Sequence, residues 1–280
     1  MLGKLFKYEM KATGRTFWPV YVAVLVLAAI NGFFLSGTIS GDAYNHYNQI
    51  GTPQAISISI YIFLMAAMAA ITMIVIIQRF YRNFLGDEGY LMFTLPAKTS
   101  QLIFSKVLTS SAWYVLSGLV AILSILLIAV TAISWEQLMQ LLDISVIIEE
   151  IKFIFYTAAE TLGMPTWLFC LELVIIGILS LFSTVLMIYA AISMGHLFQK
   201  SRKLAAFASF VVLMILIQIV STFLGEFNIF GFSTFIFTTD LTYNEPSHLS
   251  FIWSILLSLA ECAFFYFICR FILSKKLNLE

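Results

Sequence analysis

Charge is the scarcest commodity in this chain: 11% of its 280 residues are Asp, Glu, Lys or Arg, against 61% hydrophobic. Soluble domains carry about a quarter charged residues, so little here can face water and the composition leaves no room for a separate cytosolic catalytic domain. Histidine occurs three times, at His46, His196 and His248, without ligand partners at useful spacing, which argues against a metal site. Cysteine also occurs three times, and Cys170, Cys262 and Cys269 all fall inside apolar stretches, where they read as small packing residues. There is no G-x-x-x-x-G-K-[ST] phosphate loop. No internal repeat is legible, so inverted-repeat folds gain no support.

What is present is apolar length. Six stretches, 17–35, 55–77, 107–133, 167–194, 204–224 and 249–273, are each long enough to cross about 30 Å of hydrocarbon at about 1.5 Å per residue. The basic residues lie in the end segments and in alternate gaps: Lys4, Lys7, Lys11 and Arg15; Arg79, Arg82, Lys98 and Lys106; Lys200, Arg202 and Lys203; and Arg270, Lys275 and Lys276. Only Lys152 departs from that pattern. The Lys and Arg distribution decides orientation, so the expectation is an all-α, polytopic membrane protein with six transmembrane helices and both termini in the cytoplasm. Net charge is zero because a basic face and an acidic face cancel. The basic face suits anionic lipid headgroups and is not a nucleic-acid footprint.

Three flanking segments carry their own signals, and the chain reads as one transmembrane domain over 1–280. Leu2, Leu5, Phe6 and Met10 recur at helical spacing among Lys4, Lys7 and Lys11, which predicts an interfacial helix over 1–16. The outer segment 134–166 repeats Leu and Ile from Leu138 to Ile154 at helical spacing, with Ser134 and Gln137 as a capping box. That helix is apolar enough to lie against the outer leaflet. The outer gap 225–248 is rich in Phe and broken by Gly225, Gly231 and Pro246, which predicts a re-entrant hairpin, with an interfacial helix as the alternative.

The most specific segment lies within 78–106: Arg82-Asn83-Phe84-Leu85-Gly86-Asp87-Glu88-Gly89-Tyr90-Leu91-Met92-Phe93-Thr94-Leu95-Pro96, closing with Ser105-Lys106-Val107-Leu108. Gly86 and Gly89 can end one helix and open another, Asp87 and Glu88 suit a helix N-terminus, and Pro96 stops regular structure. Between these breaks the apolar Tyr90, Leu91, Met92 and Phe93 ask for burial on the inner side of the membrane.

Over about residues 79–108 this segment resembles the cytoplasmic coupling region of bacterial type-two ABC transporter permeases, the membrane subunits of ATP-binding-cassette exporters. Six spans, cytoplasmic termini, an interfacial N-terminal helix and an outer hairpin agree with that architecture. The 134–166 segment is longer than the usual family loop. The resemblance implies a chain of the bacterial cytoplasmic membrane that is not itself an enzyme and holds no cofactor. ATP and Mg would belong to separate ABC ATPase subunits, and a second permease subunit, identical or related, would complete the path. Residues Asp87, Glu88, Gly89, Tyr90, Leu91, Met92, Phe93 and Leu95 would make the ATPase-coupling contact. Leu35-Ser36-Gly37 and Leu116-Ser117-Gly118 match only the opening of the ATPase signature, within or beside apolar spans, and read as chance.

Glu172 and Glu261 fall inside predicted spans, where a carboxyl is costly enough to mark function. They are candidates for a substrate path, and the structural alternative is a neutral carboxyl bonded to a neighbouring span. Sparse charge in the spans favours an amphipathic peptide or lipid-like cargo. The alternative function is a proton-coupled carrier using Glu172 and Glu261. An intramembrane hydrolase built on Ser233 and His248 has less support, because Gly231-Phe232-Ser233 lacks the second glycine of a nucleophile elbow.

Overall fold

The computed structural model describes residues 2–39, 52–85, 99–132, 144–161, 165–198, 201–223, 227–229, 232–234 and 248–275. The helices are α1 (Leu2–Ile39), α2 (Thr52–Phe80, continued by a π-helical turn Tyr81–Leu85), α3 (Thr99–Ala132), α4 (Ile144–Thr161), α5 (Thr166–Gly195), α6 (Arg202–Phe223) and α7 (His248–Lys275). All but α4 are long and apolar enough to cross a membrane, and these six match the six stretches anticipated from sequence. A bilayer core offers no water to the backbone, so a chain rich in Ile and Val, poor helix formers in water, still adopts helix there. Buried hydroxyls follow the same rule by bonding within their own helix, as Thr72 does to Met68 O, Thr109 to Ser105 O and Ser193 to Tyr189 O, each at 2.8 Å.

The basic N-terminal segment and the first span are continuous: α1 runs unbroken through Lys11, Arg15 and Pro19. Its 38 residues extend about 57 Å, and helical geometry serves an interfacial stretch and a hydrocarbon stretch equally well. In the gap after α6 the described residues form a short ladder. Phe227–Ile229 (β1) pairs antiparallel with Phe232–Thr234 (β2), with Asn228 opposite Ser233. The β-branched and aromatic residues of Phe227-Asn228-Ile229 and Phe232-Ser233-Thr234 favour extended pairing over helix. The rest of that gap, 224–226, 230–231 and 235–247, lies outside the described residues. In the 134–166 segment the helix is α4, while the Ser134–Gln137 box also lies outside them.

The chain divides into two compact units. The one formed by Lys7–Ile76 and Ala112–Glu150 is centred on Phe17, Val75 and Trp113. Phe17 and Trp113 stack with centroids 4.4 Å apart and 14° between planes. Hydroxyl pairs tie its helices together: Ser117 Oγ meets Tyr21 Oη at 2.8 Å and Thr72 Oγ1 at 3.1 Å, and Ser124 Oγ meets Tyr61 Oη at 2.7 Å. Ser117, from the second signature-like tripeptide, is thus a packing residue. Gly32 lets α1 approach α3, since a Cβ there would stand 1.5 Å from Thr131 Oγ1.

The other unit comprises Met1–Phe6, Ile77–Ser111 and Ile151–Glu280. Its centre is α5, packed by α6 and α7 and continuously buried from Val185 to Ser193. Pro165 opens α5 in an extended conformation, its carbonyl accepting from the N–H groups of Leu168 and Phe169. At the far end Gly195 lies so close to α6 that a Cβ would stand 2.4 Å from the Ala206 backbone. Phe155 of α4, Phe169 of α5 and Phe251 of α7 meet edge to face around Ala159.

Candidate functional site

The faces of α5 and α7 that meet are polar at intervals. On α5, Phe169, Glu172, Ile176, Ser180 and Ser183 follow at three- and four-residue steps and are all buried; on α7, Phe251, Ser254, Ser258, Glu261 and Phe265 do the same, with Glu261 half-buried. Contacts fix the register. Phe169 meets Phe251 with centroids 5.7 Å apart, Cys262 Sγ donates to Leu179 O at 3.4 Å, and Ser193 Oγ lies 3.7 Å from Cys269 Sγ. Numbers rise together along both helices, so α5 and α7 run parallel.

Within this pairing Ser183 Oγ donates to Glu261 Oε2 at 2.9 Å. Glu172 retains 4% of its exposure and stands by register at the level of Ser254, which is also buried. Both sequence-predicted carboxylates therefore belong to one interhelical face, about a dozen residues apart along it, or roughly 17 Å at helical rise. Serines flank both, and a carboxyl in so apolar a setting needs such donors.

A second feature escaped the sequence reading. Tyr189, 1% exposed on α5, receives both flanks of the segment 86–98. From the preceding flank, Phe80 stacks on its ring at 4.0 Å and 13°, and Phe80 in turn meets Phe84 at 5.1 Å. From the following flank, Ser110 Oγ lies 2.5 Å from the Tyr189 hydroxyl, which also donates to the Lys106 carbonyl at 3.3 Å. The available signal was a tyrosine in the otherwise apolar run Val185–Ile192, whose hydroxyl needs a partner once buried. Lys106, expected at the basic surface, is 2% exposed within α3, and Asn83 is also buried.

His196, one residue beyond α5, bonds the Leu85 carbonyl at the end of the π-helical turn. Its Nε2 is enclosed without a hydrogen-bond partner. Burial, and then the Arg202 charge, push this imidazole below its usual pKa against the raising effect of the Leu85 bond. Among the described residues no three His, Cys, Asp or Glu side chains gather as a metal would require. Asp87, Glu88, Gly89, Tyr90, Leu91, Met92, Phe93 and Leu95 lie outside the described residues. Ser233 pairs in β2 and His248 is the first residue of α7.

No family model, curated protein or solved structure matches this chain.

Proposed function

We propose that this chain is the permease subunit of an ABC exporter in the bacterial cytoplasmic membrane, moving an amphipathic peptide or lipid-like substrate. A separate ATPase, holding ATP and Mg, drives it through Asp87 to Leu95, within 86–98. A second permease subunit completes the path. The supporting observation is the convergence of both flanks of 86–98 on Tyr189. A force applied to that segment reaches α5 through a stacked ring and two hydrogen bonds, and α5 carries one half of the face that holds Glu172 and Glu261.

The test is Tyr90→Ala with Leu91→Ala. Truncating aromatic and aliphatic anchors at an interface costs about 2 kcal/mol or more, roughly a thirtyfold loss of affinity. The variant should insert at parental abundance yet fail to retain ATP-hydrolysing activity when the tagged chain is purified from native membranes. Retention of that activity at the parental level would remove the main support for the exporter reading.

A second reading is a proton-coupled carrier, favoured by the placement of two carboxylates on one interhelical face. It requires activity from this chain alone. Purified and reconstituted in proteoliposomes under a pH gradient, the chain should conduct no protons if it is an exporter subunit. In the exporter, Glu261→Gln should alter transport more than folding, and Glu172→Gln should matter less. Proton flux from the chain alone, abolished by Glu261→Gln, would put the carrier ahead.

A further inference from the structure

Along α1 one exposed side changes character partway. Lys11, Arg15, Trp18, Val22 and Val26 follow at three- and four-residue steps, so they lie on one side of the helix, and all are exposed. From Arg15 onward this side is a shallow groove, deepened at Ala23 and lined by Trp18, Pro19, Val22 and Val26. Arg15 to Val26 rises about 16 Å, close to half of a hydrocarbon core about 30 Å thick. The groove therefore has the length of one leaflet, with cations at one end only.

We propose that this groove binds a single anionic phospholipid. The guanidinium of Arg15 takes the phosphate in a forked contact, with Lys11 adding a second cation at the headgroup. Trp18 lies beside the glycerol region, where its amphipathic ring is at home, and one acyl chain runs along Val22 and Val26. A choline headgroup would bring its own cation against Arg15 and Lys11 and forfeit the charge match. The proposal is independent of the exporter reading, because it uses only α1.

The experiment reports on Trp18 in the full chain. The protein is reconstituted into vesicles of phosphatidylglycerol and phosphatidylcholine in equal amounts, with bromine on the acyl chains of one lipid or the other. The Trp18 contribution is the difference from Trp18→Phe. Brominated phosphatidylglycerol should quench that contribution more strongly, corresponding to roughly fivefold enrichment, the effect of one basic contact near an anionic surface. Arg15→Gln with Lys11→Gln should bring the two lipids to parity. Both side chains are exposed, so these changes leave packing intact. Equal quenching in the parent would overturn the proposal. So would absence of quenching by either lipid together with disulfide cross-linking between copies carrying Arg15→Cys, which would show a second copy on this face.

Discussion

His196 joins two observations at a single side chain: a carbonyl contact to the turn that precedes 86–98, and a proton affinity lowered by burial and by Arg202. Released by unfolding, the imidazole regains its ordinary affinity near pH 6.5. Below that pH the unfolded chain binds the proton first, so stability rises with pH. The contribution is fully present above about pH 6.5 and is lost as pH falls through the lowered folded value. Thermal unfolding in detergent between about pH 7.5 and 5 should show the parent losing stability relative to His196→Gln. An unchanged difference between the two proteins across that range would sink the assignment. The histidine was visible in the sequence only as a residue without ligand partners. Its environment depends on Leu85, more than a hundred residues earlier, and on Arg202.

At the scale of elements, close approach is decided where one helix lacks a side chain. The Gly32 contact places α1 against Thr131 of α3 with no room for a methyl group. Gly32→Ala should cost about 1–3 kcal/mol through overpacking, read as a lower unfolding midpoint in detergent. Thr131→Gly in the same chain should recover part of it, because the hydroxyl and Cβ that collide are removed. A Gly32→Ala protein as stable as its parent would show that the two helices separate freely at this point. Helix lengths were legible in the sequence, since apolar runs reveal them. The ends were less so: α1 continues through the basic residues because Lys and Arg are good helix formers and their charged ends reach the headgroups on long stems. The aromatic gap after α6 suggested a re-entrant hairpin, and its described residues form a β-ladder, whose backbone bonds come from a neighbouring strand that no helical periodicity anticipates.

For the whole molecule, the alternating basic gaps predict both ends on one side of the membrane, and labelling can check this. In a cysteine-free background, a reagent that cannot cross the membrane should modify Cys placed at Asn45, Asp143 and Asn244 from outside. It should spare Cys at Lys7, Arg82 and Lys203, all of which are exposed. The reverse labelling pattern would reject the orientation and, with it, any contact between 86–98 and a cytoplasmic ATPase.

By itself the sequence determined a chain with six helices long and apolar enough to cross a membrane, because hydrocarbon permits few backbone solutions and apolar length is read directly from composition. It also singled out Glu172 and Glu261, because a carboxyl in such a run stands out by type alone. Only the tertiary structure decided that the two share one face, that Ser183 serves Glu261, and that Tyr189 gathers both flanks of 86–98. Those relations join residues some 80 to 110 positions apart. They depend on which helix faces pack, and in helices apolar on every side hydrophobic periodicity carries little information about that choice.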